Sequence, residues 1–150
     1  MNRAVSVLVV DDDEVDQMAI ERSFKRQKIA NPIFAARDGI QALEQLRGTN
    51  GGPKVTRPYV ILLDLKMPRM NGLEFLAELR RDPEHKQAIV FVLTTSRDER
   101  DKLGAYDHHV AGYILKSNVS REFVEVISLL DHYWRIVEMP IEDPVACAIA

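Results

Sequence analysis

Five short apolar runs divide the chain, and each gives way to polar residues at its C-terminal end: Val5 to Val10, Pro32 to Ala36, Tyr59 to Leu63, Ala88 to Leu93 and Gly112 to Leu115. Val5 to Val10, rich in β-branched residues, and Tyr59 to Leu63 have the pattern of strands buried on both faces, whereas Pro32 to Ala36 reads as a weak strand and Gly112 to Leu115 as a brief one. Between them the apolar positions change to helical spacing. Val15, Met18, Ala19 and Arg22 to Phe24 mark a helix that reaches about Gln27. Asp38-Gly39 leads into Ile40, Ala42, Leu43 and Leu46, with Gly48 placed to end that helix. Leu73, Phe75, Leu76 and Leu79 mark a third, which stops near Asp82-Pro83 because proline disfavours helix in the residue before it. A polar helix is expected through Tyr106, and a long one over Val119 to Val137. The stretch GTNGGPKVTRP at 48 to 58 reads as a polar, mobile loop bounded by proline.

Strands alternating with helices predict an α/β fold: a doubly wound, five-stranded parallel sheet with five helices, since parallel strands need crossovers and right-handed ones dominate. The 150 residues suit one domain, expected over 1 to 137, and the last 13 are too few for a second and form a C-terminal extension. This topology has a chemical consequence. All strand C-termini lie on one edge, where ligands bind, so Asp11, Asp12, Asp64, Thr94 and Lys116 are gathered there.

Two acids after the first strand and one after the third make an all-oxygen environment suited to Mg²⁺, which offsets the repulsion among carboxylates in VLVVDDDEVD. Thr94 and Lys116 supply a hydroxyl and an ammonium for phosphoryl oxygens. Asp64, in the centre, is placed to act as a nucleophile and form an acyl phosphate. The competing reading is structural: Asp before a helix is an ordinary N-cap, and Thr94 to Ser96 could cap the next helix. Joint placement at the ends of four strands favours the site.

Composition narrows the setting. A net charge of −3 gives no electrostatic reason to expect nucleic acid as a partner. No apolar run approaches the roughly 20 residues that span a bilayer, so no membrane partner is expected. The start MNRAVSVLVVDDD is wrongly finished for a secretory signal, and Cys147, the single cysteine, excludes an internal disulfide; both point to the cytoplasm. His85, His108, His109 and His132 lack zinc-site spacing and read as surface or helix residues, and Met67 and Met70 as packing residues.

Taken together, VLVVDDDE, ILLDLKMPRMNG, VFVLTTS and GYILK resemble the receiver domain of two-component response regulators over about residues 5 to 137. The resemblance implies a flavodoxin-like fold and a phosphoacceptor that assists its own phosphorylation and dephosphorylation, not an enzyme. Asp64 would take phosphate from a phosphohistidine on a sensor histidine kinase. Asp12 would hold Mg²⁺ directly and Asp11 mainly through water, with Asp64 and the backbone carbonyl of Lys66 completing the protein ligands. Thr94 would be the switch hydroxyl, Lys116 the phosphoryl-binding lysine and Tyr113 the switch aromatic. One departure stands out: receivers usually follow that lysine with a cis proline, whereas this chain has Lys116-Ser117. Asp13 has no required role in the family and is expected to cap a helix.

Two alternatives compete. A phosphohydrolase of the haloacid dehalogenase type needs an acid two residues after the nucleophile, and Lys66 stands there. A pseudo-receiver that binds without phosphate is opposed by the full acid set, while Ser117 in place of proline keeps it open. With no output domain expected, the signal must leave through a protein surface. Phe123, Ile127, Leu130, Trp134 and Val137 form one helical stripe, and Val126, Leu129, Tyr133 and Ile136 a second. That apolar excess favours a homodimer through the last helix, with the tail at 138 to 150 as a dimerisation arm, over the competing reading in which the tail folds back to cover the helix within one monomer. The loop at 48 to 58 and the ending YWRIVEMP resemble the small receivers paired with phytochrome histidine kinases, which implies a red-light-sensing kinase as phosphodonor.

Overall fold

The computed structural model describes residues 4–140. Five strands, β1 (Ser6–Val10), β2 (Ile33–Ala36), β3 (Tyr59–Leu63), β4 (Ile89–Thr94) and β5 (Gly112–Leu115), form one parallel sheet in the order β2-β1-β3-β4-β5. Five helices alternate with them: α1 (Glu14–Arg26), α2 (Gly39–Arg47), α3 (Gly72–Arg81), α4 (Glu99–Asp107) and α5 (Val124–Ile136). The expected flavodoxin-like architecture is the observed one. No helix among the described residues is long and apolar enough to cross a membrane.

Strand alternation sorts the core into two layers. Leu8, Val10, Ile61, Leu63, Val90 and Val92 pack with α2 and α3 residues such as Leu46, Phe75 and Leu79 on one face. Val7, Val9, Val60, Leu62, Phe91 and Leu93 pack with Ile20 and Phe24 of α1 and Ile127 and Leu130 of α5 on the other. Both faces of the central strands are thus dry, which is why these runs are almost wholly apolar, with buried Ser6 at the start of β1 the exception.

Most helix starts follow from capping chemistry. Asp13 accepts from the backbone N–H of Val15 at 2.9 Å, the capping role expected of it. Asp38 caps α2 through Gln41 N–H at 2.9 Å. Asn71 and Glu74 form a reciprocal capping box at α3. Gly48 ends α2 with a left-handed φ of 72°, a conformation that costs glycine little. Gly39 has a different reason: a Cβ there would lie 2.7 Å from the side chain of Met70 and 2.9 Å from Cβ of Phe75, so α2 can approach the loop after β3 only without one.

Four expectations need correction. The apolar positions that mark α1 in the sequence are not its buried ones: Val15 is 73% exposed and Met18 50%, while Gln17, Ile20, Ser23 and Phe24 are buried. In the loop at 48 to 58, Val55 is buried, its N–H donates to Gln45 O at 3.0 Å, and Thr56 Oγ1 hydrogen-bonds Ser6 Oγ at 2.7 Å, so the C-terminal half is anchored. α5 begins at Val124 rather than near Val119. A 3₁₀ turn at Lys116–Asn118 comes first, and Phe123 takes a φ of 56° that carries its ring into the core. Finally, the second apolar stripe of α5 is split. Val126 is buried and Tyr133 packs edge-on against Phe91, with ring centroids 5.1 Å apart, whereas Leu129 and Ile136 are exposed.

The N-terminal edge of the sheet contradicts the surface reading of His85. This residue is buried, and its Nδ1 lies 2.7 Å from Tyr59 Oη and 3.2 Å from an Arg57 nitrogen. Burial, followed by the charge of Arg57, holds the His85 pKa below the ordinary histidine value and keeps the ring neutral. Nearby, Arg80 of α3 donates to four backbone carbonyls: His108 at 2.7 Å, Lys86 and Ala88 at 2.8 Å, and His109 at 3.0 Å. One planar guanidinium therefore ties α3 to the segments that precede β4 and β5. Met67 and Met70 pack against the first core layer, as expected. Cys147 and residues 141–150 of the expected dimerisation arm lie outside the described residues.

Candidate functional site

At the opposite edge of the sheet, β1 and β3 end side by side, with Val10 in register with Leu63. The residues that follow, Asp11 and Asp64, are therefore neighbours. One carboxylate oxygen from each of Asp11, Asp12 and Asp64 lies within 4.8 Å of the others. Asp11 and Asp64 are buried and Asp12 is exposed, so the cluster opens to solvent on the Asp12 side.

Lys116, carried past the end of β5, reaches this cluster. Its Nζ lies 2.7 Å from Asp16 Oδ2, 2.8 Å from Asp11 Oδ2 and 3.4 Å from Asp64 Oδ2. The Lys116–Ser117 peptide is trans, the only cis bond among the described residues being Arg57–Pro58. Without the usual proline, the chain passes directly into the 3₁₀ turn, and the lysine still meets the acids.

The electrostatics are those of a crowded, partly dry site. Burial pushes Asp11 up to about 6, against the pull of the Lys116 ammonium and of the Asp13 N–H, which donates to Asp11 Oδ1 at 2.9 Å. Burial disfavours the charged form of Lys116 too, but its hydrogen bonds to Asp11 and Asp16 more than offset this and hold its pKa above the ordinary lysine value. Asp11, Asp16 and Asp64 thus contact a single ammonium and Asp12 completes the acid cluster, so these five groups carry a formal excess of three negative charges. Three hard oxygen donors so close together, one made reluctant to ionise, suit a small divalent cation with several waters.

The other expected residues are placed less directly. Thr94 is fully buried at the end of β4, and its Oγ1 accepts from Ser96 N–H at 3.2 Å. Tyr113 on β5 donates its hydroxyl to Ser96 O at 2.8 Å. The Lys66 N–H points to Asp64 Oδ1 at 3.4 Å, but its ammonium turns away to Asp101 of α4 at 3.1 Å. Asp101 Oδ2 also accepts from Ser96 Oγ at 2.5 Å. The loop after β3 is held from its far side by Arg69, whose Nε donates to Asp38 Oδ2 at 2.7 Å, and by the Gly39 N–H, which donates to Met70 O at 3.0 Å.

Two site residues were not singled out in the sequence. Asp16 contributes the shortest contact to Lys116, yet an acid in the first turn of a helix reads as a response to the helix dipole. Gln17 is buried, and its Nε2 lies 3.1 Å from each of the carbonyls of Val9, Asp11 and Ala36, bracing the ends of β1 and β2 under the acids. The available signal was a polar residue at a position where α1 must face the sheet.

Comparison with known proteins agrees with this geometry. Residues 7–128 match the model of the response regulator receiver domain. Response regulator Rcp1 of Synechocystis sp. is 32% identical over 128 residues, covering 85% of this chain and 87% of Rcp1. The crystal structure of its Mn²⁺-bound form superposes with a TM-score of 0.77 at 30% identity, over 91% of this chain and 99% of that one. The phosphorylated cyanobacterial phytochrome response regulator RcpA gives 0.78 at 29% identity, over 93% and 100%. A bacteriophytochrome response regulator gives 0.70 at 33% identity, over 98% and 90%. The acid cluster, the lysine that reaches it and the sheet edge that assembles both belong to a chain that is a member of the response regulator receiver domain family, related to phytochrome response regulators.

Proposed function

We propose that this chain is a response regulator receiver that accepts a phosphoryl group on Asp64 in a Mg²⁺-dependent reaction and signals through altered protein contacts. The observation that carries this reading is the convergence of Asp11, Asp12 and Asp64 on one point, with Lys116 Nζ 3.4 Å from an Asp64 oxygen. A carboxylate oxygen of Asp64 attacks the donor phosphorus. An O–P bond forms, and the bond to the donor nitrogen breaks with its electron pair leaving on an imidazole. Lys116 would meet a phosphoryl oxygen, and Thr94 would offer its hydroxyl from β4. Asp12, Asp11, Asp64 and the carbonyl of Lys66 would hold Mg²⁺, which when bound neutralises charge on the phosphoryl oxygens. Rcp1 has been crystallised in a Mn²⁺-bound form, which supports a divalent ion as the cofactor of this chain too.

The donor we propose is a phytochrome-type sensor histidine kinase, because the relatives include phytochrome response regulators. We place the exchange in the cytoplasm. As output we propose a homodimer formed through α5 and the C-terminal extension, supported by exposed Val124, Leu129, Ile136 and Val137 on or next to α5. Size-exclusion chromatography checks this, and a monomer at every concentration would remove it.

The central test is incubation with acetyl phosphate and Mg²⁺ followed by intact-mass measurement. We expect one added phosphoryl group on the native protein and none on Asp64→Asn. Equal labelling of the two, or none on either, would refute the assignment.

A further inference from the structure

We propose that Asp16 is a positioning residue that holds the Lys116 ammonium away from Asp64 and so competes with the phosphoryl group for it. The inference rests on the phosphoacceptor reading of Asp64 given above. The distances around the ammonium are unequal. Lys116 Nζ is 2.7 Å from Asp16 and 2.8 Å from Asp11, but 3.4 Å from Asp64. The lysine meant to serve the acceptor is bound most closely elsewhere.

An ammonium has three protons, and here three carboxylates occupy them. A phosphoryl oxygen on Asp64 must displace one. Asp11 belongs to the cation cluster, where a bound divalent ion would draw on its charge. Asp16 lies outside that cluster, on the first turn of α1, and keeps its full charge directed at the lysine. The pair is not a solvated surface contact: the side chains of Lys116 and Asp16 are only 11% and 20% exposed. Ion pairs sheltered in this way are screened far less than surface ones. Asp16 thus orients Lys116 in the resting protein and lowers the share of its charge available to the phosphoryl group.

Among the described residues only Asp11 and Asp16 hold the ammonium more closely than Asp64 does, and of these only Asp16 lies outside the cation cluster. Asp13, three residues away at the start of the same helix, is exposed and directs its carboxylate to the N–H groups of Val15 and Asp16. That gives a control of equal charge without contact to the lysine. Asp13→Ser removes the charge and keeps an N-cap.

The test measures the affinity of beryllofluoride, a phosphoryl mimic, at saturating Mg²⁺ by ¹⁹F NMR in the native protein, Asp16→Asn and Asp13→Ser. Asp16→Asn is expected to bind about tenfold more tightly, the scale of one partly screened charge at contact distance, and Asp13→Ser to stay within about twofold of the native protein. Equal tightening in both variants, or no change or weakening in Asp16→Asn, would overturn the proposal. A second measurement needs no metal or mimic: exchange of the Lys116 ammonium protons with water, followed by ¹H–¹⁵N NMR. It should speed up in Asp16→Asn and remain unchanged in Asp13→Ser; unchanged exchange in Asp16→Asn would also refute the role. If the native protein bound no beryllofluoride, the phosphoacceptor reading would fall while ammonium exchange still decided the Asp16 contact.

Discussion

At the N-terminal edge of the sheet, cations and polar rings are matched to neutral partners. Arg80 donates to four carbonyls, Arg57 to the carbonyl of Glu84, and the neutral His85 ring meets the Tyr59 hydroxyl. The C-terminal edge, built from the other ends of the same strands, gathers Asp11, Asp12, Asp16 and Asp64 with the Lys116 ammonium. The first arrangement satisfies buried donors and acceptors and so stabilises the fold. The second concentrates like charge, which costs stability unless a cation offsets it. Sites of function commonly carry such local conflict, and the surrounding structure offsets it. In this protein the two roles are segregated to opposite edges.

Breaking the quiet edge should have the largest effect on stability. Arg80→Ala leaves four carbonyls without their donor, and a loss of about 3 kcal/mol is expected from several partly buried groups. Chemical denaturation measures it, and a loss below about 1 kcal/mol would mean that water replaces the guanidinium freely. At the charged edge the sign reverses. Asp64→Asn removes one of the crowded carboxylates, so the metal-free protein should gain about 1 kcal/mol, or about 2–4 °C in thermal midpoint, while losing phosphoryl uptake. A lowered midpoint would show that the acids are not in conflict.

An effect of similar size to that of Asp64→Asn is a dependence on pH. His85 has a folded pKa below its ordinary value of 6.5, because of burial first and the charge of Arg57 second. Well above 6.5 the ring is neutral in both states and contributes no slope. Below 6.5 the unfolded chain takes up a proton that the folded protein excludes, so stability falls as pH drops, by about 1 kcal/mol over one pH unit. His85→Gln should flatten this part of the stability profile, and an unchanged slope would assign it to other groups.

The two edges were unequally legible in the sequence. Asp11, Asp12, Asp64 and Lys116 each follow a strand end, and parallel topology alone brings strand ends together, so that site could be assembled from order along the chain. Asp16 and Gln17 could not, because their roles depend on which way α1 is rotated against the sheet. That rotation was obscured by exposed Val15 and Met18, which carry the helical spacing without facing inward. His85 was misread for a related reason. It lies outside any periodic element, between α3 and β4, and its burial comes from Tyr59 and Arg57, which are distant in sequence. The start of α5 failed locally: apolar Val119 and Phe123 continue a helical pattern, but the backbone reverses at Phe123 to bury its ring.

The most direct measurement of this division is a Mg²⁺ titration followed by ¹H–¹⁵N NMR. Saturable shifts are expected for the amides of Asp11 to Asp13 and of Leu65 and Lys66, with those of His85, His108 and His109 unmoved. Absent or non-saturating shifts at the acid edge, or equal shifts at both edges, would contradict the account.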